Sequence, residues 1–105
     1  MAKHLPRLPS ISSTESLIID LLRDGERYGL ELVEASRGKL KRGTIYVTLV
    51  RMEKKGFVES RQEEPRAGAI GLPRRMYRVT PYGLKVHQAY QLLRQALRLK
   101  PAEAR

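Results

Sequence analysis

The chain has 105 residues, enough for one compact domain with a modest core and not for two. Its formal net charge of +10 and pI near 10.4 point to a polyanionic partner, nucleic acid before an anionic membrane surface. The absence of cysteine excludes a disulfide framework, a thiolate nucleophile and a cysteine metal site. No apolar run is long enough for a transmembrane helix or a signal-peptide core, so a soluble, cytoplasmic protein with no membrane partner is expected.

Residues 1–11 carry Lys3, His4, Pro6, Arg7 and Pro9 without periodicity and read as a flexible N-terminal arm. Ser12-Ser-Thr-Glu15 is a capping box, which predicts a first helix whose apolar stripe is Leu17, Ile18, Leu21 and Leu22 and whose end is Asp24-Gly25. A second helix is predicted from about 27 to 36, with Tyr28, Leu32 and Ala35 on one side, Gly29 open to a close neighbour, and Gly38 as its stop.

A third helix is predicted from about 43 to 55. Ile45, Leu49 and Met52 fall at i, i+4 and i+7 and pack inward, while Thr44, Val47, Arg51, Lys54 and Lys55 lie on the opposite side. Between Arg37 and Gly56 seven cations (Arg37, Lys39, Lys41, Arg42, Arg51, Lys54, Lys55) face one anion, Glu53, a density suited to a phosphate backbone. Lys41 and Arg42 stand at the helix start, where the dipole favours anions, so each costs about 0.3–1 kcal/mol unless something negative is bound there. A solvated basic helix face is the bland alternative; the two cations at the wrong helix end weigh against it.

After Gly56, segments 57–62 and 74–80 carry β-branched and aromatic residues and read as two strands of a hairpin, with Phe57, Val58, Tyr77 and Val79 inward. The loop between them is long and rich in Pro and Gly, with Arg66 inside it and Arg74 and Arg75 at its exit. Thr80-Pro81 is a strong helix start, and the last helix is predicted to reach about Leu99 before Pro101. Its stripe of Val86, Ala89, Leu93 and Ala96, with Tyr90 and Leu97 beside it, is longer than a three-helix core needs and predicts a homodimer seam.

This order of elements is an α+β, mainly α, winged helix-turn-helix: three helices and a β-hairpin wing over residues 12–80, a dimerisation helix over 81–100, and a tail of 101–105. Glu26-Arg-Tyr-Gly-Leu-Glu-Leu, Gly43-Thr-Ile-Tyr, Leu49-Val-Arg-Met-Glu-Lys-Lys-Gly-Phe-Val and Arg74-Arg-Met-Tyr-Arg-Val-Thr-Pro-Tyr-Gly, in that order, resemble the PadR family of bacterial transcriptional regulators, specifically its short members with a single C-terminal helix. The resemblance runs over about residues 14 to 99. It implies a dimeric repressor that inserts its third helix into the major groove of an inverted-repeat operator and lays its wing, residues 63–75, on the backbone. By position, the family's DNA contacts carry over onto Thr44, Tyr46, Thr48 and Arg51 in the helix and onto Arg74 and Arg75 at the wing. Family members often cap the third helix with Ser-Pro; Lys41-Arg42 stand here instead, which adds charge and leaves the helix start open by a residue or two. Some short relatives bind aromatic drugs between subunits through tryptophan. This chain has none, so a small-molecule inducer would have Tyr82 and Tyr90 as smaller platforms.

An enzyme is disfavoured. His4 and His87 read as exposed, Asp20 and Asp24 sit beside no evident base, and no metal-ligand cluster, nucleophile-base pair or cofactor motif can be assembled. The rival within the nucleic-acid class is RNA binding, or coating of DNA without regard to sequence, although few aromatics remain for base stacking. A membrane-surface role for the last helix is opposed by Gln88, Gln91 and Gln95 on its polar face.

Overall fold

The structure is a computed structural model that describes residues 8–65, 68 and 71–98. The expected arm cations Lys3 and Arg7, the wing cation Arg66, the helix end at Leu99 and the tail from Pro101 lie outside the described residues. Four helices and a three-stranded antiparallel sheet follow the chain as α1 (Ser13–Leu22), β1 (Arg27–Tyr28), α2 (Gly29–Ala35), α3 (Ile45–Lys54), β2 (Val58–Gln62), β3 (Arg75–Val79) and α4 (Pro81–Arg98).

The predicted capping box opens α1: the Glu15 amide donates to Ser12 Oγ at 3.1 Å, and the Ser12 amide to Glu15 Oε1 at 2.9 Å. The inward face is turned from the expected one. Ile18, Ile19 and Leu22 are buried together with Glu15 and Ser16, while Leu17 and Leu21 are only half-buried. A carboxylate can sit on that face because the Lys55 ammonium meets both of its oxygens, at 2.9 and 3.0 Å.

The second helix also differs. Arg27 and Tyr28 are not helical; they pair with Tyr77 and Met76 as a short edge strand, giving the sheet order β1-β3-β2. Such a strand is too short for any periodicity, and its partner is some fifty residues away in sequence. α2 therefore begins at Gly29, with Glu31 Oε1 accepting from the Tyr28 amide at 3.2 Å. Arg37 and Gly38 both take positive φ, 53° and 89°, and turn the chain out of α2. The Ser36 hydroxyl, 2.9 Å from the Leu40 amide, then draws Leu40 into the core.

α3 buries Ile45, Leu49 and Met52 as expected and starts at Ile45, with Thr44 as N-cap residue rather than inside the helix. The hairpin register runs from Val58↔Val79 to Gln62↔Arg75. Phe57, Val58 and Tyr77 are buried and Val79 half-buried, in line with the predicted inward positions. Thr80 caps α4: its Oγ1 accepts from the Gly83 amide at 2.9 Å and donates to the Gly56 carbonyl at 2.6 Å. Gly83 lies so close to the Phe57 carbonyl that a Cβ there would overlap it, so α4 can dock on the Phe57 backbone, just ahead of β2, only through a glycine. One core joins α1, α2, α3, the sheet and the first half of α4, and α3 lies on its surface with one face free.

Candidate nucleic-acid interface

The free face of α3 follows from its sequence. With three core residues at helical spacing, the positions between them must point out, and Tyr46, Val47 and Val50 are 47%, 61% and 47% exposed. Val50 is absent from the expected contact set. The signal was present, since an apolar residue off the inward stripe of an otherwise polar face is out of place unless it meets something. Tyr46 is not loose: its ring lies over Gly29, where an added Cβ would sit 2.6 Å from the ring edge. The close approach expected at Gly29 is thus made by the tyrosine of α3. Thr48 is half-buried and donates its hydroxyl to the Thr44 carbonyl at 3.1 Å. The Thr44 side chain is exposed and makes no capping bond.

The expected cations divide in two. Lys41, Arg42, Arg51 and Lys54 are exposed and have no ion pair among the described residues. Lys41 and Arg42 occupy the turn before the helix, where the Lys41 carbonyl accepts from the Thr44 and Ile45 amides. Lys55 corrects the expectation that it meets phosphate. Its ammonium is held by the buried Glu15 carboxylate and the Ser10 carbonyl (3.1 Å) and stands 5.4 Å from the centre of the Phe57 ring. It neutralises a buried charge and ties the N-terminal segment to the end of α3.

The wing cations are engaged as well. Arg74 forks onto Glu63 at 2.8 and 2.6 Å and stacks over the Tyr28 ring at 4.4 Å; the Glu63 carboxylate, with Tyr28 beside it, drives the guanidinium pKa up. Arg75 donates to Ser60 Oγ at 2.9 Å, and Ser60 donates to Glu53 of α3 at 2.8 Å, so a chain of hydrogen bonds joins wing and helix. Beside it, burial first and then the Glu53 charge raise the Tyr77 pKa.

On α4 the expected dimer seam needs revision at its start. Val86 is buried in the domain's own core and cannot meet a second copy. Tyr90 is half-buried and donates its hydroxyl to the Pro9 carbonyl at 2.7 Å, which joins α4 to the segment ahead of α1. Ala89 and Ala96 are exposed, as are Leu92, Leu93 and Leu97 at 67%, 50% and 75%. An open groove of ≈ 510 Å³ runs along Gln88, Gln91, Leu92, Arg94, Gln95 and Arg98 and includes neither Tyr82 nor Tyr90.

His87 is a second correction. It is buried, with Nδ1 3.0 Å from Ser16 Oγ and Nε2 2.9 Å from Asp20 Oδ1. Asp20 therefore does stand beside a base, against expectation. A neutral imidazole satisfies both partners, with Nε2–H donating to Asp20 and Nδ1 accepting from Ser16. These are the residue types of a hydrolytic triad, but the serine sits buried inside α1 and no substrate could reach it, so the set serves to bolt α4 to α1. Among the described residues no group of three His, Cys, Asp or Glu side chains could hold a metal, and no helix is long and apolar enough to cross a membrane.

Comparison with known proteins bears on this arrangement. Curated proteins give no match. Among solved structures, a PadR family transcription regulator from Clostridium difficile is 27% identical with a TM-score of 0.66, the match covering 78% of this chain and 86% of that one. A second, from Eggerthella lenta, is 28% identical with a TM-score of 0.66, covering 78% and 71%. Bacillus subtilis PadR, solved in complex with operator DNA, shares the fold at a TM-score of 0.69 and 22% identity; the match covers 86% of this chain and 50% of that one. The sequence model of the transcriptional regulator PadR-like family matches residues 18–89, from α1 through the wing into α4. A winged helix-turn-helix with its basic third helix free on one face, matched over most of its length, this chain belongs to the PadR-like family of transcriptional regulators.

Proposed function

We propose that the protein is a dimeric, sequence-specific DNA-binding repressor, with α3 in the major groove, the wing along the backbone and a second copy joined through the distal half of α4. The observation that carries this reading is the outward face of α3. It and the turn before it combine four cations without ion pairs among the described residues (Lys41, Arg42, Arg51, Lys54) with exposed Val47 and Val50 and with Tyr46, half-exposed and braced over Gly29. Cations there can neutralise phosphates, valines can meet thymine methyls, and Arg51 can fork onto guanine. Arg75, Thr44 and Thr48 are the supporting contacts. The family's solved structures include one bound to operator DNA, which supports the same partner.

Dimerisation rests on the exposed Leu92, Leu93, Ala96 and Leu97, which extend beyond what α1 covers. A titration of the purified protein against the duplex upstream of its own gene, with random duplex and RNA as competitors, is the test. Tighter binding to that duplex than to either competitor is expected. Equal binding to random duplex would make the protein a sequence-independent coater, and preference for RNA would move it to the other class.

A further inference from the structure

Lys41, Arg42, Arg51 and Lys54 have no ion pair among the described residues, whereas three wing arginines each face a carboxylate: Arg61 meets Glu26, Arg78 meets Glu59, and Arg74 meets Glu63. Arg74 differs from the other two. Glu63 and Arg74 stand one step beyond the last ladder pair, Gln62↔Arg75, where the hairpin opens toward the loop, and the Glu63 amide donates to the Arg74 carbonyl at 2.7 Å. The Arg74 guanidinium is supported on one side by the Tyr28 ring and held in its fork by both Glu63 oxygens. Two carboxylate oxygens present the same bidentate face to an arginine as two phosphate oxygens do.

We propose that Glu63 is an internal stand-in for a DNA phosphate. It holds the Arg74 fork when no duplex is bound and yields it, still stacked on Tyr28, when the wing meets the backbone. The inference rests on the DNA-binding reading and deepens it, because Glu63 would set how strongly the wing grips any phosphate. Contact then exchanges one anion for another, and the released Glu63 recruits a cation in place of the one freed from the phosphate. The wing adds little to binding at random sequence, and discrimination is left to α3. The competing account is that the pair only closes the hairpin; it predicts that removing the carboxylate loosens the wing and weakens binding.

The test is a salt-resolved titration of random and upstream duplexes with the full chain, comparing wild type, Glu63→Gln, Glu63→Asp, Glu64→Gln, Arg74→Ala and the Glu63→Gln/Arg74→Ala double variant. Glu64 is exposed and makes no ion pair among the described residues, so its change removes the same charge without touching Arg74. Glu63→Gln is expected to bind random duplex about two- to five-fold tighter, the scale of one exposed ion pair. Its salt slope should steepen by about 1, and its preference for the upstream duplex should narrow. Glu63→Asp, which keeps the charge but shortens the reach, should move the same way by less, and Glu64→Gln should change little. In the Arg74→Ala background the effect of Glu63→Gln should vanish. Unchanged or weaker binding by Glu63→Gln overturns the proposal, as does equal tightening with and without Arg74, which would be long-range charge alone. A wild type that binds no duplex would sink the DNA reading and this inference together, whereas a wild type that binds beside an indifferent Glu63→Gln would sink only the inference.

Discussion

Lys54 and Lys55 leave the end of α3 about 100° apart, and that rotation decides what each does. Lys55 turns back onto Glu15, whose carboxylate is buried, while Lys54 points to solvent with no ion pair among the described residues. Lys55→Ala is expected to cost about 2–3 kcal/mol of stability, below the fully buried case because the lysine is partly exposed. Lys54→Ala should stay within about 0.5 kcal/mol. In duplex titrations Lys54→Ala should weaken binding to all sequences alike and lower the salt slope by about 1. Chemical denaturation of the two variants separates the roles; equal stability would show that the Glu15 pair does not hold in solution. Gly29→Ala makes the complementary case. Its Cβ would meet the Tyr46 ring, which is half-exposed and can swing away, so melting should shift little while duplex affinity falls because α3 loses the side chain that Gly29 positions. An unaltered affinity would remove Tyr46 from the contact set. The outward role of Lys54 was legible in the sequence; the inward role of Lys55 was not. Lys54 and Lys55 are identical neighbours in a basic run, and only an acid forty positions earlier, buried by a rotation of α1, tells them apart.

At the scale of elements, α4 is a helix of two halves. Its first half lies against α1 and the sheet through Gly83, Val86 and the buried His87; beyond Tyr90 its leucines stand free. Leu93→Asp is therefore expected to abolish the dimer and leave the domain folded, since the carboxylate would be buried only in the seam. Val86→Asp, seven residues earlier on the same stripe, should unfold the domain itself. Sedimentation with circular dichroism reads both: a monomer of native helical content for the first, loss of helix for the second. A Leu93→Asp chain that stays dimeric would put the interface elsewhere. Elements whose signals are local were legible beforehand, among them the Ser12 capping box, the Ile45, Leu49 and Met52 stripe and the Thr80-Pro81 start. What was not legible is long-range: the pairing of Arg27 and Tyr28 with β3, and the burial of Val86 and His87, which depends on where α1 lies. A single stripe along a helix cannot show where the domain's own core ends and a partner's begins.

The whole molecule, taken as the proposed dimer, makes a prediction about DNA that needs no base contact. Two copies of α3 related by a two-fold axis reach the same side of a duplex only when their half-sites lie about one helical turn, roughly 10 base pairs, apart or a multiple of that. The operator should therefore be an inverted repeat of fixed spacing. Each domain adds four α3-side cations, and α4 is pinned to α1 by the Ser16, His87 and Asp20 bonds, so the angle between the two reading heads has little freedom within a domain. Changing the spacer by about five base pairs turns one half-site to the far side of the helix and should cost most of the specific affinity, leaving the salt-steep binding that any duplex receives. Restoring a full turn, by inserting about ten base pairs, brings the half-sites back to one face, but rigid heads should then fail to span both and affinity should not recover. Footprinting across this spacer series reads the outcome directly. Protection that survives the half-turn at undiminished affinity would mean that the two heads bind independently, and the rigid two-fold dimer would give way to a coater held by phosphates alone.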